Sequence, residues 1–334
     1  MDDLTRLMRE NNPFQDAPLP DHALRRLDDI ISGRRSARHD IALPPLRSPR
    51  TPVLLAAAAF AVVIAVVAVV LLSALRPQTA MAVTPNLLEL RPTVTTIDTL
   101  REDLVKPSRN PQPTATSRSA QWEGWFIQLD ADRPAATFIQ PQRVQIAWAE
   151  DFSGTSRIIA GTPMSADGSV LEPVPADAEE PGTTLYEETW GPGEYPVPFP
   201  DLPPEGASGM RDYLDAFLTS LGVAGTGSRS AGEYLYALNS LMQFWTLGDA
   251  AQRAAIEVIV TAPGVQVAGE TTDRAGRDGI VLGIGPTELE PGHRAQLVID
   301  IDSWRLLAVE RISVDGHPDF HVPPDSVTDY TLWR

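Results

Sequence analysis

The sequence predicts an α+β domain with an antiparallel sheet, held outside a membrane by one N-terminal span. Three observations predict it. Val53–Leu75 runs 23 residues without a charge, with Ser73 its only clearly polar side chain. After it come candidate strands, then candidate helices, then strands again. That order, without β–α alternation, indicates an antiparallel α+β sheet rather than a doubly wound one. Charge is divided across the run. Residues 1–52 carry nine Arg against eight Asp/Glu, and the rest carries 18 basic against 36 acidic residues within a net charge of −17.

As a helix, the apolar run would be about 35 Å long at ~1.5 Å per residue, enough for a hydrocarbon core of ~30 Å. Arg34, Arg35, Arg38, Arg47 and Arg50 precede it against the single Asp40. The positive-inside rule therefore predicts a cytoplasmic N-terminus and an exported C-terminal domain. Ala80-Met81-Ala82 has the A-x-A form of a signal peptidase site. The basic approach and the apolar run are too long for an ordinary signal peptide, so an uncleaved signal anchor is expected. The expected organisation is a tail at 1–52, a span at 53–75, a tether at 76–92 and an extracytoplasmic domain at 93–334.

Within the tail, Asp21 caps a candidate helix over 21–33, with Leu24, Leu27, Ile30 and Ile31 on one face and Gly33 at its end. Two readings stand: a helix lying on the membrane, or a docking helix for a cytoplasmic protein partner. Asp3–Arg9 is a weaker helical candidate. Thr96–Lys106 predicts a short helix, with Ile97, Leu100 and Leu104 on one side and Pro107 beyond its end. Residues 106–119, KPSRNPQPTATSRS, read as a polar loop.

From Gln121 the period changes. Trp122–Leu129 and Arg143–Ala149 predict strands, the second alternating Val144, Ile146 and Trp148 with more polar positions. Ser153-Gly154 turns the chain and Arg157–Ala160 returns, as in an antiparallel meander. Residues 161–207, dense in Pro, Gly and acid, read mostly as surface loop. Three helices follow. Met210–Leu221 carries apolar residues at i, i+3, i+4, i+7 and i+8 and stops at Gly222. Ser230-x-x-Glu233 is a capping box opening a stripe from Tyr234 to Trp245. Asp249 is expected to cap the third, which Pro263-Gly264 ends. The final strands are expected at Val265–Ala268, Gly279–Ile284, Ala295–Ile301, Leu306–Ser313 and Thr328–Trp333. Asp278-Gly279 and Asp315-Gly316 are expected turns, the latter of type I′.

The chain holds no cysteine, which removes disulfides, thiolate zinc sites and cysteine nucleophiles. An acidic domain is repelled by nucleic acid, so no nucleic-acid partner is expected. No GxSxG elbow, Walker A loop, GxGxxG, HExxH or EF-hand loop is present, and no catalytic, cofactor-binding or metal-ligating residue is assigned. Asp315, His317, Asp319 and His321 form the one His/Asp grouping beyond the span, and a solvated loop is the simpler reading. Glu150-Asp151, Glu179-Glu180 and Glu187-Glu188 are adjacent in sequence and would point apart on a strand, so they read as solvating charge. Arg274 and Arg277 flank Gly276 in DRAGRDG, where an anion-binding turn is weighed against a plain hairpin turn.

The basic segment with its span, the strands Trp122–Leu129 and RVQIAWAEDFSGTSRI, the block AIEVIVTAPGVQVAGETTDRAGRDG at 255–279 and LVIDIDSWRLLAVE at 297–310 together resemble a family of actinobacterial single-pass membrane proteins. Members have no assigned activity and are often encoded beside an extracytoplasmic-function sigma factor. The family's usual Asp-x-x-Thr-Gly turn is replaced here by Asp300-Ile-Asp-Ser-Trp304. A curved antiparallel sheet crossed by about three helices is also similar to bacterial lipoprotein-carrier folds, which hold acyl chains or a regulatory partner. The resemblances imply a binding or sensing domain, linked to a sigma factor through the tail. The alternative they imply is a tethered carrier of a lipid or other hydrophobic ligand.

Overall fold

A computed structural model describes residues 83–109, 114–127, 138–223, 228–317 and 322–333. The tail helix expected at 21–33, the span expected at 53–75, the Ala80–Ala82 pattern, Asp319 and His321 lie outside these residues. No helix among the described residues is long and apolar enough to cross a membrane.

Helix α1 (Ile97–Leu104) precedes four strands, β1 (Ser119–Phe126), β2 (Gln142–Trp148), β3 (Gly154–Ala160) and β4 (Thr184–Trp190). Helices α2 (Ala207–Ser220), α3 (Ala231–Leu241) and α4 (Asp249–Thr261) follow. Strands β5 (Val265–Thr272), β6 (Asp278–Ile284), β7 (His293–Asp300), β8 (Arg305–Ser313) and β9 (Ser326–Trp333) complete the fold. The nine strands among the described residues form one antiparallel sheet in the order β4-β3-β2-β1-β9-β8-β7-β6-β5. The α+β class is as the sequence predicts. Two meanders meet at the β1–β9 seam, where Trp122 lies opposite Trp333 and Trp125 opposite Tyr330.

The helices form where sequence signals are strongest. Ser230 and Glu233 make the expected reciprocal capping box on α3, and Thr96 with Thr99 makes another on α1. Past α2, Gly222 takes φ +78, while its N–H reaches Thr219 O and the Val223 N–H reaches Leu218 O. Those two bonds are the Schellman stop that glycine favours at this position. The cap of α4 differs from expectation: Gly248 is the N-cap and Asp249 the first helical residue. A Cβ on residue 248 would lie 2.4 Å from Thr114 O, so only glycine lets the 114–116 segment press against the helix start. Asp249 then accepts from the Thr114 hydroxyl at 2.9 Å.

Two further expectations need correction, and a third, the loop at 161–207, needs an addition. Residues 161–207 contain β4, which pairs with β3 along its length although none of its seven residues is buried. Its Thr, Leu, Tyr and Trp favour a strand, but without one buried face they show no apolar periodicity to read. Asp278-Gly279 opens β6 instead of turning. The turn is Asp273–Arg277, since Asp273 Oδ1 accepts from the N–H groups of Ala275 and Arg277, both at 2.9 Å. Asp315-Gly316 makes no two-residue hairpin, because β8 ends at Ser313 and β9 begins at Ser326. Pro318, Pro323 and Pro324 have no N–H to continue a ladder beside such a turn. The β7–β8 turn holds one left-handed residue. Trp304 takes φ +58 there, and its side chain is only 2% exposed. Burying that indole offsets a left-handed cost of roughly 1–2 kcal/mol.

Both faces of the inner sheet are covered. On the helix side, Leu282, Leu297, Ile299 and Leu306 join one cluster with Leu238, Ile256 and Ile259. Full burial of each such side chain contributes about 1.5–3 kcal/mol. On the other side, Trp125, Val281, Val298 and Tyr330 pack with Val83, Leu88, Ile139 and Met164. Burial on both faces explains why β6 to β8 read as near-continuous apolar runs.

Candidate functional site

The second face of the sheet is crossed by the segment that leads in from the predicted span. Residues 83–93 lie as an extended strap, not as a free tether. The Asn86 N–H bonds Ala166 O at 2.7 Å. Arg91 and Glu270 exchange both backbone bonds, at 2.7 and 2.8 Å, which places the strap against the outer edge of β5. The Thr271 hydroxyl donates to Glu89 O at 2.8 Å, and the Thr93 hydroxyl to Glu270 Oε1 at 2.7 Å. Gly269 sits at the β5 bulge with φ +149, and a Cβ there would lie 2.6 Å from Arg91 O. Contact with the strap therefore requires glycine at this position.

Under the strap lies a buried ion pair. Arg274 donates its Nε to Glu310 Oε1 at 2.7 Å and its Nη2 to Glu310 Oε2 at 3.1 Å. The same Nη2 reaches Asn86 O on the strap at 2.7 Å, so one guanidinium joins strap and sheet. Its plane lies 5.0 Å from the Tyr330 ring centroid, and Tyr330 stacks on Trp125. The Glu310 side chain is 0% exposed. Burial pushes its carboxyl above the ordinary carboxylate range, against the pull of Arg274 beside it. Arg277 holds the adjoining corner. Its Nε and Nη2 donate to Asp273 Oδ2 at 2.8 and 2.6 Å, and its remaining donors reach Leu307 O and Trp333 O. These reaches from the β5–β6 turn to β8 and β9 show that the hairpin bends over this face.

Arg274 and Arg277 are thus brought together as the sequence suggested, but both are spent on carboxylates. These ion pairs hold the turn against the sheet. Sequence reasoning missed Glu310, Asp273 and the strap. Glu310 inside LLAVERIS was a readable signal, since a glutamate amid buried apolar neighbours needs a partner. Nothing local in 83–93 marks it for docking.

A second polar cluster lies on the helix side, where Arg311 and Asp329 pair directly beside Glu310 and Tyr330. Arg311 donates its Nε to Asp329 at 2.8 Å, and its Nη1 pairs with Glu290. Burial, and then the nearby Arg311 charge, hold the His293 imidazole below its usual range, with Asp329, Glu290 and His317 also facing it. Among the described residues no group of three His, Asp or Glu side chains is placed to hold a metal ion. His317 pairs its backbone with Val322 in the β8–β9 connection. Glu187 and Glu188 lie on β4, Glu150 and Asp151 at the β2–β3 turn, and Glu179 and Glu180 before β4; all six are exposed.

No protein-family model matches this chain, and neither a characterised protein nor a solved structure is detectably similar to it.

Proposed function

We propose that the chain is a single-pass membrane protein whose extracytoplasmic α+β domain binds or senses a partner and reports through its cytoplasmic tail. One observation carries the reading. The chain just beyond the predicted span is bonded to the sheet through Arg274, Glu270 and Thr271. Docking of 83–93 shortens the free linker expected at 76–92, which favours a reporter, whereas a passive enzyme anchor needs only a slack linker. The tail at 1–52, with its apolar stripe over 21–33, is the segment offered to a cytoplasmic partner. A sigma factor is the partner that the resemblance to the actinobacterial family suggests.

The alternative of a tethered lipid carrier has less support. The space between sheet and helices is filled by the protein's own side chains, with Leu282, Leu297, Ile259 and Leu238 all at 1% exposure or less. Two measurements test the proposal. Protease treatment of intact cells should degrade residues 83–334 and spare the tail. Full-length protein purified in detergent should retain a cytoplasmic protein that a Leu24→Asp, Leu27→Asp variant loses. A protected C-terminal domain, or equal retention by the variant, would sink the reading.

A further inference from the structure

The two edges of the sheet are finished differently, and the difference points to an interaction surface. The β5 edge is closed by the strap. Among the described residues no strand or bridge lies on the outer side of β4. None of the seven residues of β4 is buried, and Leu185 and Tyr186 are 39% and 42% exposed. Every second residue of such an edge turns both N–H and C=O outward, a template for a further strand.

Charge says which strand it would take. From Ile158 to Met210 the sequence has no Lys, Arg or His, and it has ten acidic residues. Glu187 and Glu188 lie within β4, Glu179 and Glu180 just before it, and Glu194 just after. The nearest base is Arg157 on β3, directly opposite Glu187 and bonded to the Thr184 hydroxyl. We propose that the β4 edge is a docking site for an extended cationic segment of another protein, added as a tenth strand.

Charged residues and bulges also protect edges from pairing, and β4 has both, with a register shift at Ile158/Ile159. Here, however, the charge is all of one sign. A second copy pairing edge to edge would set glutamates against glutamates, and anionic lipid or nucleic acid would be repelled. A Lys- or Arg-bearing strand meets no such barrier.

The experiment uses full-length protein in detergent micelles and a fluorescent octapeptide alternating Lys and Thr. Saturable binding is expected, with none for the Glu/Thr counterpart. Glu187→Lys with Glu188→Lys should weaken it about tenfold or more, because like charges then oppose across the ladder. A peptide of the same sequence, N-methylated on alternate residues, keeps the charge but loses the backbone donors. It should bind about tenfold more weakly, as expected when ladder bonds contribute. Equal binding of the methylated peptide would reduce the surface to plain ion pairing and overturn strand addition. Failure of the Lys/Thr peptide to bind, or self-association of the protein through this edge in light scattering, would overturn the proposal outright.

Discussion

The inner strands β6 to β8 and the outer strand β4 belong to one sheet yet are built on opposite rules. β7 has five consecutive buried residues, Ala295–Ile299, while β4 has none. Helices cover one face of the inner strands, and the 83–93 strap with the residues around Ile139 and Met164 covers the other. The outer strand depends on its ladder to β3 and on Trp190, which meets Tyr195 edge-on at 4.8 Å. Inner strands are therefore specified by what they bury, and β4 by its neighbour's hydrogen bonds.

The largest effect should come from the buried pair. Arg274→Ala leaves the Glu310 carboxyl buried without its partner, and denaturant unfolding should show a loss of about 3–5 kcal/mol. Adding Glu310→Met should restore most of it, because two apolar groups leave no buried charge. Next is a matched pair of truncations. Leu297→Ala in β7 should cost about 2–5 kcal/mol, and Leu185→Ala in β4 should stay within about 0.5 kcal/mol. Similar costs for the two would break the contrast between the halves.

Gly269→Ala should cost about 1–3 kcal/mol through its positive φ and the clash with Arg91 O. It should also free the strap, read as faster cleavage after Glu89 by a glutamate-specific protease while the sheet stays folded. Ser230→Ala should cost about 1 kcal/mol by removing the α3 cap.

The smallest effect lies in the outer half. The Ser165 hydroxyl and the Ser169 N–H hold the Asp167 carboxyl at about 2, below its usual 3.8. A depressed carboxylate contributes its stability above the ordinary value and loses it as pH falls through the folded value, a window from 3.8 down to about 2. Ser165→Ala should move the NMR titration of Asp167 back toward 3.8.

Legibility in the sequence followed the same division. Strong one-sided periodicity revealed α2, and the Ser230–Glu233 box revealed α3 with its start. Val144, Ile146 and Trp148 revealed β2, and the apolar run Ala295–Ile301 revealed β7 to within two residues at its start. β4 escaped because exposure on both faces leaves no pattern. The Asp278-Gly279 turn was misplaced because Asp273, five residues earlier, caps the turn with its own side chain. The candidate site was half legible: DRAGRDG stood out, but its partners Glu310, Asn86 and Trp333 are distant in the chain.

By itself the sequence determined the α+β class, the helix faces and caps, and the concentration of acid beyond the apolar run, because each depends on near neighbours in the chain. Tertiary structure alone decided that β9 inserts between β1 and β8, that Arg274 spends its charge on Glu310, and that residues 83–93 lie bonded across the sheet. Those outcomes depend on which distant groups can satisfy a buried donor or carboxylate once the chain has closed around them.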